Sequence, residues 1–125
     1  MMLVKTFVDK SGIHGIGLFA AAPIAAGTVI WRFMDGFDVV FDETVLTTLD
    51  EPMRGYLNRY SYPHHSLPGK IILDGDNGRF MNHSDAPNTD FSRVPMTEGY
   101  ATQHIAEGEE LLCNYNEFAP GFTFV

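Results

Sequence analysis

Tyr115, Cys113, Asn82, His83 and the glycine pair Gly15 and Gly17 are the residues of this chain whose types and settings can do chemistry. Each also has an ordinary structural use. A phenol such as Tyr115 can orient a reacting group or exchange a proton with it; it can equally close a strand as a core ring. His83 stands in an Asn-His-Ser run, and a lone histidine in a small domain more often braces structure than moves protons. Gly15 and Gly17 flank Ile16, which suits a tight turn and lets backbone approach a ligand closely, yet an ordinary hairpin turn uses the same residues. Cys113 is the single cysteine, which excludes an internal disulfide framework. His64 and His65 are adjacent, with His14, His83 and His104 elsewhere in the chain, so a metal site has to be weighed. Neighbouring side chains on a strand point to opposite faces and no zinc-type spacing is present, so no metal is expected.

The settings carry more than the residues do. Residues 79–88 read Arg-Phe-Met-Asn-His-Ser-Asp-Ala-Pro-Asn, and residues 108–115 read Gly-Glu-Glu-Leu-Leu-Cys-Asn-Tyr. Near the N-terminus stands Gly-Ile-His-Gly-Ile-Gly-Leu-Phe-Ala, residues 12–20. In this order and at these spacings the blocks resemble the signature motifs of the SET domain family, which mostly transfers methyl groups from S-adenosylmethionine to lysine side chains. The resemblance runs over roughly residues 4–118, so residues 1–125 are read as a single SET domain, a minimal member without flanking zinc-binding cysteine segments.

The resemblance implies roles residue by residue. Tyr115 matches the tyrosine that ends the family's last block and becomes the catalytic residue, its hydroxyl facing the methyl group or sulfonium and orienting the amine. The Asn82 amide would hold the methionine end of the donor, and His83 would contribute mostly backbone hydrogen bonds to the adenine. His14, Gly15, Ile16 and Gly17 would offer backbone groups to the methionine carboxylate and amine. Tyr60 falls where the family often places a tyrosine that contacts the donor, although it also suits the core face of a helix. Phe118 could cap the adenine. Tyr62, Cys113 and Phe122 are the candidates for the substrate channel, with Tyr56 a weaker one, and Asn88 would support the crossed loops.

Methyl transfer to an amine sets requirements of its own. The nucleophile must be neutral, but a free lysine has a pKa near ~10.4. A narrow apolar channel and a neighbouring cation both disfavour the ammonium form. Nitrogen, methyl carbon and sulfur must also lie on one line. Ten Phe and five Tyr supply aromatic walls for such a site. The chain departs from the family pattern at Asn114, where an Asp is usual, and at Cys113, where better-known members carry Phe or Tyr. A small Cys113 leaves a roomy site, which favours higher methylation states.

Short β-type runs must position these residues: Val4–Val8, Leu18–Ala20, Val29–Phe33, Phe37–Phe41, Lys70–Leu73, Thr89–Val94, Tyr100–Ile105 and Glu110–Asn114, separated by Gly and Pro. A helix is expected over Glu51–Tyr60, capped by Asp50, with Pro52 in its first turn and an apolar stripe of Met53, Tyr56, Leu57 and Tyr60. A shorter helical turn is expected around Glu43–Leu49. The fold class is mainly β, with several small sheets. The resemblance makes these the curved sheets of a β-clip, with one short helical insert and a C-terminal pseudoknot.

The bulk properties suit one small enzyme domain. The 125 residues are 45% hydrophobic and carry a net charge of −8, which argues against direct nucleic-acid binding and is compatible with a basic, lysine-containing protein or peptide substrate. No apolar run reaches membrane length and no cleavable leader is evident, so the expected setting is cytoplasmic and reducing, with a nuclear one left open. The tail, with Phe118, Phe122 and Phe124, could fold over the channel or form a homodimer contact. The rival reading is a SET-like module that binds S-adenosylmethionine or a peptide without catalysis.

Overall fold

A computed structural model describes residues 1–120. The expected channel residue Phe122 and the tail residue Phe124 lie outside the described residues. Among the described residues the architecture is mainly β, built from small sheets with one short α-helix. Strand β1 (Thr6–Lys10) and β2 (Ile16–Ala20) form an antiparallel hairpin in which Thr6 faces Ala20 and Lys10 faces Ile16. Strands β3 (Val29–Arg32), β8 (Thr89–Asp90) and β9 (Glu98–Ala101) form a second sheet with β9 in the middle. Strands β4 (Val39–Asp42), β5 (Tyr62–Pro63) and β6 (Lys70–Leu73) form a third around β6. Strands β7 (Asn82–His83) and β10 (Leu112–Cys113) pair in parallel.

That parallel pair knots the fold. The segment before Tyr115 is gripped on both sides by the 82–89 loop. Ser84 N–H donates to the Cys113 carbonyl at 2.9 Å, and the Thr89 hydroxyl donates to the Leu112 carbonyl at 2.8 Å. Asn88 completes the grip: its amide donates to the Glu110 carbonyl at 2.9 Å and its side-chain oxygen accepts from Leu112 N–H at 2.9 Å. Asn88 is buried, so each of these partners is needed to offset its desolvation. The core beneath is assembled from Leu18, Ile24, Ile30, Trp31, Ile105 and Leu111 with the smaller Ala20, Ala101 and Cys113. Burying each large aliphatic side chain contributes about 1.5–3 kcal/mol.

Element boundaries differ from expectation where tertiary contacts decide them. The first strand begins at Thr6, not Val4, because its register is set by the partner that ends at Ala20. The run 100–105 leaves its sheet after Ala101, since Ile105 bridges Ile24 instead. The run 110–114 is divided: Glu110 bridges Phe19, and Leu112–Cys113 pair with Asn82–His83. The helix, α1, spans Met53–Tyr60 and Asp50 does not cap it with its side chain. The Glu51 carboxylate takes that place, accepting from Gly55 N–H at 3.1 Å and Arg54 Nε at 3.3 Å. Of the expected apolar stripe only Leu57 is buried; Met53 and Tyr56 are exposed. The Tyr56 and Tyr60 rings, 4.7 Å apart, continue onto Phe80 and Arg79 instead of a deep core. The 3-10 turn Glu43–Thr47 precedes it, its first turn bonded to the Asp42 carboxylate. Among the described residues no helix is long and apolar enough to cross a membrane.

Candidate active site

The glycine segment forms the turn between β1 and β2. Gly15 has φ +48°, a left-handed conformation that favours glycine. Ser11 N–H donates to the Gly15 carbonyl at 2.8 Å, and the Ser11 hydroxyl receives Ile13 N–H at 2.9 Å while donating to Glu110. Gly17 packs so closely on Glu110 that a Cβ there would stand 2.9 Å from its carboxyl carbon. Asn82 reaches across from β7 and fastens the turn. Its amide nitrogen donates to the His14 carbonyl (3.0 Å), the Ile16 carbonyl (3.1 Å) and Glu110 Oε2 (3.0 Å). His14, Gly15, Ile16, Gly17 and Asn82, widely separated in sequence, are therefore one unit in space.

His83 is held from both sides. Its Nδ1 accepts from Tyr115 N–H at 3.0 Å and its Nε2 lies 3.0 Å from Asp85. The acceptor role at Nδ1 leaves the ring proton on Nε2, directed at the carboxylate. This imidazole orients the segment carrying Tyr115 and is not placed as a free base. Tyr115 follows β10 in a 3-10 turn whose N-cap is Asn114, with the Asn114 side chain accepting from Asn116 N–H at 3.0 Å. A carbonyl oxygen serves this capping bond as a carboxylate would, so Asn114 retains it without a charge. The Tyr115 hydroxyl donates to the Met81 carbonyl at 2.6 Å. Burial raises its pKa, and the Cys113 thiol beside it adds to the effect, so the phenol stays protonated at neutral pH.

A cavity of about 700 Å³, measured with its open mouth, lies against Tyr115. It is lined by Tyr60, Tyr62, Cys113 and Phe118 among the expected residues. Phe118 touches Tyr62, Phe91 and Tyr115, with ring centroids 5.5, 5.7 and 5.9 Å apart, which places it in the aromatic wall shared with the channel candidates. Cys113 is fully desolvated, with Sγ 3.8 Å from the Asn82 carbonyl; burial pushes its thiol pKa far up and leaves it inert. Tyr56 lies outside the lining, on the exposed side of α1, where its hydroxyl receives Arg79 Nη1 at 2.6 Å.

Several residues of this site gave no signal in the sequence. Arg59 on α1 lines the cavity and places Nη2 3.0 Å from His14 Nδ1 and 3.6 Å from the Cβ position of Gly15. Arg79, Trp31, Phe91, Met96 and Asp74 also line it. The Arg59 position could have been suspected as a cation one residue from Tyr60; the others become neighbours only through the knot and the sheets. His64 and His65 stand beyond β5, so they do not diverge as strand neighbours would. Their rings stack 4.1 Å apart and both meet the Phe33 ring edge-on. Burial and the neighbouring His64 lower the pKa of His65.

The arrangement can hold an anionic, flexible ligand end at the glycine turn, where Arg59 supplies positive charge. Tyr62, Phe91, Phe118 and Tyr115 line one cavity together with Arg59, so an apolar chain can lie against their rings. The family model for the SET domain matches residues 15–116. No curated protein sequence matches the chain. Among solved structures, a candidate histone methyltransferase of Plasmodium falciparum superposes with a TM-score of 0.62 at 22% identity, over 91% of this chain and 95% of that one. Polycomb Repressive Complex 2 of Chaetomium thermophilum, in an autoinhibited conformation bound to S-adenosylmethionine, gives 0.67 at 22% identity over 95% of this chain. The same complex in its apo autoinhibited state gives 0.69 at 21% identity over 95% of this chain. In both cases the match spans 16% of the complex's chain. At these identities the likeness is one of fold.

Proposed function

The chain belongs to the SET domain family, and on that premise we propose that it transfers a methyl group from S-adenosylmethionine to a lysine side chain of a protein. The observation that carries the reading is the setting of Tyr115: its hydroxyl is bonded to Met81, the neighbour of the Asn82 that fastens the glycine turn, and it lines an aromatic-walled cavity together with Arg59, which stands beside Gly15. The residues present suit the donor. The left-handed Gly15 turn with Arg59 beside it offers backbone and positive charge to a carboxylate. In this reading the Tyr60 ring and the His83 backbone contact the rest of the molecule, and Phe118, which packs on Tyr115, covers its adenine. When bound, the donor supplies a methyl group activated by its sulfonium charge.

The chain's own residues then have distinct tasks. Tyr115 keeps its proton and presents a fixed oxygen near the reacting atoms, so its contribution is alignment and electrostatics. Tyr62 and Phe118 exclude water from the amine. Asn82 and Glu110 keep the glycine turn in place. Calorimetry with S-adenosylmethionine, followed by labelled methyl transfer to a lysine peptide array, tests the reading. Donor binding with transfer to lysine is the expected result; an absence of donor binding overturns it, and binding without transfer would favour the non-catalytic module.

The product state is a second expected outcome. Cys113 is small and lines the cavity, so the amine has room to turn after a first transfer. Mass spectrometry of the wild-type product should find dimethyl- or trimethyl-lysine. Cys113→Tyr should shift the product to monomethyl-lysine by filling that space; an exclusively monomethylated wild-type product would contradict this.

A further inference from the structure

A buried carboxylate lies in the wall of the cavity, and the reading above gives it no task. Asp74 directly follows β6 and is 6% exposed. Its Oδ1 accepts the Tyr62 hydroxyl at 2.6 Å, and both residues line the cavity together with Cys113. Two other carboxylates lie close by, and each accepts hydrogen bonds from two backbone N–H groups. Asp38 accepts from Met34 N–H at 2.9 Å and Gly75 N–H at 3.0 Å, with the Met1 amino group at 3.0 Å. Asp76 accepts from Met2 N–H at 2.8 Å and Gly78 N–H at 2.9 Å. The Asp74 carboxylate has no such cradle: among the described residues Tyr62 is its hydrogen-bond partner. Arg79, the nearest guanidinium in the same turn, donates to the Asp74 backbone carbonyl at 2.7 Å instead of to the carboxylate. Trp31 lines the same cavity and is 5% exposed, and its indole N–H has no hydrogen-bond partner. A buried donor left without a partner beside a carboxylate held by one hydroxyl is costly unless a ligand meets it.

We propose that the Asp74 carboxylate, braced by the Tyr62 hydroxyl, receives the ammonium group of the substrate lysine and takes one of its protons. The proposal rests on the lysine-methylating reading and supplies the neutral amine that reading requires. The balance is simple. One N–H bond of the ammonium breaks, its electron pair stays on nitrogen as the lone pair, and the proton forms an O–H bond on Asp74. A cation and an anion become two neutral groups, which an apolar enclosure favours. The faces of the aromatic walls can attract an ammonium, but they offer no group that takes its proton.

The groups facing Asp74 are Tyr62 on β5, Asp38 ahead of β4, Asp76 in its own turn, the Met1 amino group, and Cys113 on β10. Burial holds both Tyr62 and Cys113 neutral. Asp74 itself is raised to about 6 by burial, with Asp38 and Asp76 adding to the rise and Tyr62 and the Met1 amino group opposing it. It is therefore ionised above about pH 6 and ready to accept, and neutral below that.

The test uses n-butylamine, which has the shape of the lysine side chain, against n-butanol, which lacks the charge. Both are titrated into the full chain with carboxyl-labelled aspartate and followed by NMR near neutral pH. The amine should move the Asp74 carboxyl resonance and bind about tenfold more tightly than the alcohol, as expected of a charge-assisted contact. Asp74→Asn should erase the preference. Tyr62→Phe keeps the carboxylate but removes the bond that lowers its pKa, so the pH at which amine binding appears should move up; this variant carries the test if Asp74→Asn does not fold. Equal binding of amine and alcohol, a preference retained in Asp74→Asn, or an unmoved pH dependence in Tyr62→Phe overturns the proposal. If the preference holds but no lysine is methylated, the amine site stands and the methyltransferase reading fails. If Asp74→Asn methylates as fast as wild type near neutral pH, this proposal fails and that reading stands.

Discussion

Tyr115→Phe should lower methyl transfer at least about 100-fold while leaving donor affinity within about twofold, the loss expected when one fixed hydrogen-bonding group is removed from beside a charged transition state. The phenol oxygen is the part that matters. Its hydrogen bond to the Met81 carbonyl, 2.6 Å long, fixes its position before any ligand arrives. The ring has separate work, packing on His83 at 5.3 Å and Phe118 at 5.9 Å, and phenylalanine preserves it. Losing the hydroxyl leaves the Met81 carbonyl without its donor, which costs about 1–2 kcal/mol and lowers the melting temperature without unfolding the chain. Initial rates with labelled donor, calorimetric donor affinity and a thermal melt separate the effects. A phenylalanine variant that turns over like wild type would reduce Tyr115 to a packing residue. The raised pKa of Tyr115 adds a sign: the phenol is protonated across the neutral range, so its ionisation contributes no limb to the rate profile there.

Asn82→Ala should weaken donor binding by about 1–3 kcal/mol, which is roughly 5- to 150-fold in Kd. The mechanism is indirect. The Asn82 amide is bonded to the His14 and Ile16 carbonyls and to Glu110, so its truncation strips three acceptors of one donor group. The glycine turn then loses its tie to β7. Glu110 retains the Ser11 hydroxyl at 2.8 Å, so the turn loosens without detaching. Calorimetry with S-adenosylmethionine and hydrogen exchange at residues 14–17 check both halves. Unchanged exchange together with unchanged affinity would show that the turn is rigid by itself.

Much of this site was legible because its residues sit in contiguous blocks. Asn82 and His83 are adjacent, Cys113 and Tyr115 are two apart, and His14 to Gly17 form one turn. A pattern of that kind survives in a linear string. The partners that give Asp74 and Arg59 their place in the site lie in other segments of the chain. Asp74 bonds a tyrosine twelve positions away, and Arg59 meets a histidine forty-five positions away. Two-residue strands were equally hidden, since Tyr62–Pro63 and Asn82–His83 are too short for any periodicity to show. The helix was legible in place but not in orientation. An i, i+3, i+4, i+7 stripe identifies a helical period, yet the surrounding chain decides whether the stripe is covered, and here Met53 and Tyr56 stay at the surface.

The amino-acid sequence by itself determined the family, the mainly β class, the position of the one helix and the blocks from which the site is drawn, because those depend on local propensity and on residues close together in the chain. The tertiary structure alone decided the register that sets Leu112–Cys113 beside Asn82–His83, the tie from Asn82 to the glycine turn, and the burial of Asp74 against Tyr62. Each of these joins segments separated by a dozen residues or more. Their free energy lies in desolvation and hydrogen bonding across the fold, which no local pattern encodes.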